Sequence, residues 1–375
     1  MRFNNFWCYR RIIFSRKFAS TLWFSRKNVV ATHLHRPMSA GPYMAELDIT
    51  YRCNARCRMC QRWRDPRDNE MHLSEYRGLA TVLNDLNVHQ ISIAGGEPLL
   101  RKDVFDIIAC FSRYGMSVNL CTNGILLHKY EDEICSSGAT CVTVSLDGAT
   151  AGIHDASRGV VDSSPLIERG IRAMLRRPFA RRPLVRVRMT FSDTNAHQIN
   201  SFYNKWKKVA DDVLLQPVHL CSDSYYTGLT DEAYNIDPQV LESQVKGTPF
   251  AHDRYMKEFI RGMREQGTFP SQRCYAGVLM VRIDPWGHVY PCLEQHVQVG
   301  SVRRHDFREI WNSDAFNQVR RGLITERTCA CWYNNTALIG HYGGLLAHTR
   351  GDRISERVKN FLMGERRSVS PVNPS

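Results

Sequence analysis

Polar and apolar residues alternate with a period of two over 46–50, 89–93, 117–121, 142–146, 185–191 and 213–218, and this predicts six short strands. The stretches 74–86, 103–113, 166–175 and 199–210 instead carry apolar residues three and four apart, the spacing of helices with one buried face. Strand and helix in strict alternation imply parallel strands joined by right-handed crossovers, an α/β barrel-like sheet. Clusters at Gly95-Gly96, Asn123-Gly124 and Asp147-Gly148 each follow a strand's C-terminal end, the face on which such barrels place their chemistry.

Beyond residue 225 the alternation stops. Helical patterns at 237–245 and 252–266 precede a new unit opening at Cys274, where 278–283 and 288–290 flank the turn sequence Asp284-Pro285-Trp286-Gly287 and predict a hairpin. A helical stretch at 315–322 follows. The expected organisation is a basic extension over 1–45, loosely held, a barrel over 46–225, a helical linker over 226–270, a cysteine-bearing unit over 271–335, and a tail over 336–375 with one helix at 354–363 and a Ser/Pro-rich end.

Charge changes this picture only locally. The chain carries 50 Lys or Arg against 37 Asp or Glu, a net +13. Eight of the basic residues fall in the first 45 positions, where no acid occurs, so the rest of the chain is near +5. That segment reads as a membrane-surface or anionic-partner contact, a leader, or an extension upstream of a start at Met38 or Met44. An apolar fraction of 43% excludes a disordered chain, and no run of apolar residues reaches the length of a membrane-spanning helix. Nucleic acid is not an expected partner, because the charge is not interleaved with aromatic stacking residues and no RNA-binding module is visible.

Thirteen cysteines are an odd count on a long chain, which argues against a secreted disulfide scaffold and for a reducing, cytoplasmic setting. Six of them (Cys8, Cys110, Cys121, Cys135, Cys141 and Cys221) sit among apolar neighbours and read as small buried residues. The other seven cluster. Cys53, Cys57 and Cys60 follow the first strand, and three thiolates without a fourth nearby suit a cubane iron–sulfur cluster with one open iron, or a zinc site completed from a distance. Cys274, Cys292, Cys329 and Cys331 form a second group, whose spacing alone does not choose between zinc and another cluster.

The Cys53-x3-Cys57-x2-Cys60 triad resembles the signature of the radical S-adenosylmethionine (radical SAM) superfamily, and Ala94-Gly95-Gly96-Glu97-Pro98 resembles the family's motif for the methionine end of AdoMet. Thr122-Asn123-Gly124 and Ser145-Leu146-Asp147-Gly148 are similar to the segments that line its AdoMet site, and 214–218, ending in Val218, lies where the family packs adenine. The resemblance implies a partial (β/α)6 TIM-like barrel holding a [4Fe–4S] cluster and AdoMet, cleaved to a 5′-deoxyadenosyl radical that abstracts hydrogen from substrate. It also implies an electron donor such as flavodoxin or ferredoxin. The run 274–332 resembles a SPASM or shorter twitch module, with a second, auxiliary [4Fe–4S] cluster on Cys274, Cys292, Cys329 and Cys331, and the cysteine count favours the twitch form.

Oxidation of a small sugar, polyol or aminocyclitol is the expected reaction, with modification of a peptide or protein side chain as the alternative and an RNA- or zinc-binding protein as the reading from another class. Arg188 is a candidate for gripping a carboxylate, unless the Arg186, Arg188, Thr190 face of its strand points to solvent. Glu294 is a candidate proton acceptor near the second cysteine group. His154, Asp155 and Arg158 read as a solvated loop.

Overall fold

The computed structural model describes residues 16–34, 36–218, 236–265 and 274–325. Cys329, Cys331 and the expected helix at 354–363 lie outside the described residues.

Strands β1 (Met44–Thr50), β2 (Gln90–Gly95), β3 (Ser117–Thr122), β4 (Cys141–Ser145), β5 (Leu184–Phe191) and β6 (Asp212–Pro217) pair in parallel and in chain order. They form the curved sheet of a partial TIM-like barrel. With α1 (Arg16–His33) preceding the sheet, the crossovers are α2 (Leu73–Asp85), α3 (Val104–Ser112), α4 (Leu127–Ser136), α5 (Ala151–Arg158), α6 (Ser163–Leu175) and α7 (Ile199–Trp206). β5 shows how the sequence decides which side of the sheet is wet. Val185, Val187 and Met189 are fully buried in the layer shared with the helices, while Arg186, Arg188 and Thr190 on the other face are half-buried. In β1 the same alternation turns Glu46, Asp48 and Thr50 one way and Ala45, Leu47 and Ile49 the other.

The expected hairpin exists as β7 (Met280–Ile283) and β8 (His288–Tyr290), followed by β9 (Gly300–Ser301). It is continuous with the barrel: β7 runs parallel to β1, so the described strands make one nine-stranded sheet in the order β6-β5-β4-β3-β2-β1-β7-β8-β9. The unpaired edge of β1 is thereby satisfied, which is what an open sheet edge requires. The hairpin tip is also pinned to the segment between the first cysteines and α2. Met71 N donates to Pro285 O at 2.7 Å and Trp286 Nε1 to Asp68 O at 3.0 Å, while Arg303, just past β9, donates to Asn69 O at 2.7 Å and pairs with Glu75 of α2 at 2.7 Å.

Helices α8 (Pro238–Val245) and α9 (Arg254–Arg264) pack onto the last crossover, with Phe259 edge-on to Phe191 and the Phe250 ring edge-on to Tyr203. Helices α10 (Phe307–Asn312) and α11 (Asp314–Thr325) close the C-terminal unit. Arg320 of α11 is fully buried, wedged against the Trp311 and Phe316 rings, and its Nε donates to Gly277 O on the turn after Cys274.

The described part of the N-terminal extension, residues 16–34 and 36–45, departs from the expectation of a loosely held segment. α1 is docked on the sheet's N-terminal side. Asn28 is fully buried and its Nδ2 donates to both Ala40 O and Gly41 O at 2.9 Å, while its Oδ1 accepts from Ala40 N at 3.3 Å. His33 Nε2 is 3.1 Å from Tyr275 Oη, joining the helix to the C-terminal unit. Local charge density had argued for solvent, but a single amide that satisfies two carbonyls and an N–H of the incoming chain outweighs it. Asn28→Ala leaves those groups buried and unpaired, and chemical denaturation is expected to show a loss of about 1–3 kcal/mol.

Candidate active site

The loop after β1 carries Cys53, Cys57 and Cys60 into one cavity at the C-terminal ends of the strands. Its shape is fixed by α5, a helix where the sequence suggested a solvated loop. Arg56 N donates to Arg158 O at 2.9 Å and Arg58 N to Ser157 O at 3.2 Å. Gly159, left-handed at φ 63°, lies so close that a Cβ would stand 2.4 Å from Arg56 O. The Arg158 side chain completes the clamp. Its Nε and Nη2 lie 2.7 and 2.8 Å from the two oxygens of the buried Asp147, and its Nη1 lies 3.8 Å from Cys57 Sγ. Asp147 therefore orients Arg158 and is absent from the cavity wall. His154 is buried and accepts from Asp147 N at 3.1 Å, and burial, then Arg158, lower its pKa to about 4, so it is a neutral core residue. Asp155 is used internally, accepting from Ser163 Oγ at 2.6 Å.

Burial pushes the Cys53 thiol up to about 12 and raises that of Cys57, which Arg158 partly offsets. Among the described residues no three Cys, His, Asp or Glu side chains are gathered for a single metal ion. Three separately placed thiols on one cavity wall, beside a fixed guanidinium and the Asn123 amide, fit a multi-iron cluster better than zinc. These are the residues that would hold it.

Next to the cysteines the wall is bare backbone. Gly95, at φ 128°, and Gly96 pass under the loop so tightly that added Cβ atoms would stand 2.2 Å from Thr50 O and 2.3 Å from Arg52 O. No side chain fits there, so the cavity wall beside the cysteines is backbone that a ligand can approach closely, with Gly96 N donating to Thr50 O at 2.7 Å to hold it in place. Gly95→Ala is expected to cost about 3 kcal/mol and to abolish AdoMet binding, as read by denaturation and by equilibrium dialysis. Glu97 has a different task from the one its motif suggested. It is fully buried off the cavity wall, accepting from Thr122 Oγ1 at 2.8 Å, Leu99 N at 3.1 Å and Asn123 N at 2.7 Å. It ties the β2 loop to the β3 loop and so sets the positions of Thr122 and Asn123, which do line the cavity. Pro98, also buried, starts the short 3-10 turn that fixes this brace. Ser145 lines the wall 3.4 Å from Arg188 Nη2, and Val218 closes the cavity's side among Ala55, Cys57 and Met59.

Arg188 and Thr190 face the cavity, while Arg186 is spent on Asp212 at 2.8 Å. Deeper in the barrel stand Glu46, Arg62 and Gln216, none of which sequence reasoning singled out. The signal was present in β1, where two acids occupy alternate positions of an otherwise apolar strand. Arg62 is held by Asp48 at 3.1 Å and its Nη1 donates to Gly95 O at 3.3 Å. Burial, then Asp48, raises the Glu46 pKa to about 7. The folded chain thus binds a proton at Glu46 that the unfolded chain has released, and stability falls as pH rises from about 4.5 to about 7. Glu46→Gln is expected to flatten that slope, gaining roughly 3 kcal/mol relative to the unsubstituted chain at pH 8, as measured by denaturant midpoints across pH.

In the C-terminal unit Cys274 Sγ accepts from Ala276 N at 3.4 Å. Cys292 is buried, which drives its thiol well above the usual range, and it accepts backbone hydrogen bonds from Glu294 and Gln295. Backbone donors aimed at sulfur suit a thiolate bound to iron. Glu294 is buried beside Cys292 and away from the first cavity.

Residues 47–193 match the radical SAM superfamily, and residues 274–332 match SPASM, an iron-sulfur cluster-binding domain. The chain is a radical SAM enzyme. Among its curated relatives, the AdoMet-dependent heme synthase of Methanosarcina barkeri is 25% identical over 311 residues, covering 76% of this chain and 86% of that protein. The mycofactocin maturase MftC of Mycobacterium tuberculosis is 24% identical over 331 residues, covering 82% and 79%. Among solved structures, Streptococcus suis SuiB bound to S-adenosylmethionine superposes with a TM-score of 0.60 at 17% identity, covering 82% of this chain and 74% of that one. A radical SAM enzyme with a SPASM module carries a [4Fe–4S] cluster, AdoMet and auxiliary iron–sulfur. No described helix of this one is long and apolar enough to cross a membrane.

Proposed function

We propose that Cys53, Cys57 and Cys60 hold the AdoMet-cleaving cluster, that Cys274 and Cys292 contribute to an auxiliary cluster, and that the enzyme abstracts a hydrogen atom from a peptide or protein side chain in the barrel. Bound there, the cluster and AdoMet supply a 5′-deoxyadenosyl radical, given one electron from a flavodoxin- or ferredoxin-like donor. The protein's own residues do the rest. Gly95 and Gly96 admit the methionine end to the backbone, Ser145 and Arg188 meet its carboxylate or that of the substrate, and Val218 packs the adenine. The walls exclude water from the reacting carbon.

The observation that carries this reading is the convergence of the three cysteines, the glycine cradle and a charged barrel floor on one cavity. The peptide class is supported by one relative that matches over most of the chain, a mycofactocin maturase, and by SuiB having been solved with the precursor peptide SuiA. A small sugar, polyol or aminocyclitol is the second reading, and its support is the polar floor of Glu46, Thr190 and Gln216, which offers hydroxyl partners. Two perdeuterated fractions of a source-cell extract, peptides and small metabolites, separate the classes when supplied with AdoMet and dithionite. Deuterium in 5′-deoxyadenosine from the peptide fraction is expected. Deuterium from the metabolite fraction alone overturns the substrate class, and no 5′-deoxyadenosine with either overturns the whole reading.

A further inference from the structure

α1 buries more polar than apolar side chains. Its inward face combines Thr21, Ser25, Asn28 and Thr32 with Val29 and Ala31, all buried, and Thr21 Oγ1 donates to Asn87 O at 3.2 Å. Its outward face carries Trp23, Lys27 and Val30, and Leu34, in the turn that follows with its N bonded to Val30 O at 3.0 Å, continues the line; at about 100° per residue the four fall within an arc of roughly 60°. Trp23 is 55% exposed, Val30 39% and Leu34 54%, so three of the eight large apolar side chains exposed among the described residues share this one stripe. Isolated exposed apolar residues are ordinary, but a row of them opposite a mostly polar buried face is not. The Lys27 ammonium lies over the Trp23 ring at 5.3 Å and near the Phe24 ring at 5.7 Å.

We propose that this stripe is a peripheral docking surface for an anionic phospholipid bilayer. Charge complementarity selects the occupant. The 18-residue helix contains Arg16, Lys17, Arg26 and Lys27 and no acid, and the first 45 residues hold eight basic side chains with none acidic. A second copy would set one such helix against another and incur like-charge repulsion, whereas an anionic headgroup layer gains about 1 kcal/mol per basic residue near its surface. An aromatic ring with a lysine beside it and aliphatic side chains along the same line is the composition that settles at the boundary between headgroups and acyl chains. The helix is held to the segment entering β1 by Asn28 and to the C-terminal unit by His33, so docking would bring the whole enzyme to the surface as one body.

Flotation of the full-length, cluster-loaded protein tests this, using vesicles of phosphatidylcholine alone or with about one-third phosphatidylglycerol. Binding to the anionic vesicles only, weakened by added salt, is expected. Trp23→Glu with Leu34→Glu should weaken that partition at least about tenfold while leaving the melting temperature and AdoMet cleavage unchanged. Equal flotation of the double variant, equal binding to neutral vesicles, or no binding overturns the proposal. A solution dimer that the double variant dissolves would assign the stripe to a second copy instead.

Discussion

Cys57→Ala, reconstituted anaerobically with iron and sulfide, is expected to hold about four irons fewer per chain than the unsubstituted protein and to release no 5′-deoxyadenosine above background. Cys292→Ala loses iron too, yet should retain AdoMet cleavage, because its site is built on the C-terminal hairpin. The contrast follows from geometry. Cys57 lies in the cavity with Gly95 and Gly96, whereas Cys292 sits past β8, against Glu294 and Gln295. Cleavage that survives Cys57→Ala would remove the assignment of the first triad. Cleavage lost in both variants would mean that the two sites are one functional unit.

The second large effect concerns the clamp on the cluster loop. Asp147→Ala strands the Arg158 guanidinium, which is only 13% exposed, and a broken buried pair of this kind costs about 3–5 kcal/mol. Asp147→Asn/Arg158→Met removes both charges together and is expected to recover most of that loss, since paired replacement of a buried ion pair is often near neutral. Stability regained without cluster occupancy would show Arg158 acting on the Cys57 loop and not merely on the fold. A double-mutant cycle by urea denaturation, read beside iron content, separates the two contributions. Additive losses in the cycle would contradict the coupling seen between Asp147, Arg158 and Cys57.

Much of this is legible in the sequence. The period-two runs locate all six barrel strands because each exposes one face to helices and the other to a polar interior, as Val187 and Arg188 show. The cysteine triad and Gly95-Gly96 were legible because their chemistry tolerates few other residues. What the sequence hid was division of labour within motifs. Glu97 and Asp147 stand beside cavity residues in sequence, yet their carboxylates brace loops from behind, a distinction made by burial and partner geometry. Arg158 was hidden for the complementary reason, since only the fold of α5 carries it to Cys57. The pairing of β7 with β1 depends on contacts across more than two hundred residues, which no local pattern records. α1 was concealed because its buried face is mostly hydroxyl and amide side chains, while Trp23 and Val30 lie on the outside.

The central claim is that AdoMet binds directly to an open iron held by Cys53, Cys57 and Cys60. Pulsed EPR of the dithionite-reduced protein with AdoMet labelled at the methionine amino nitrogen tests it most directly. A nitrogen hyperfine coupling to the reduced cluster, absent in Cys57→Ala and present in Cys292→Ala, is the predicted result. A reduced cluster whose spectrum is unchanged by AdoMet would contradict it.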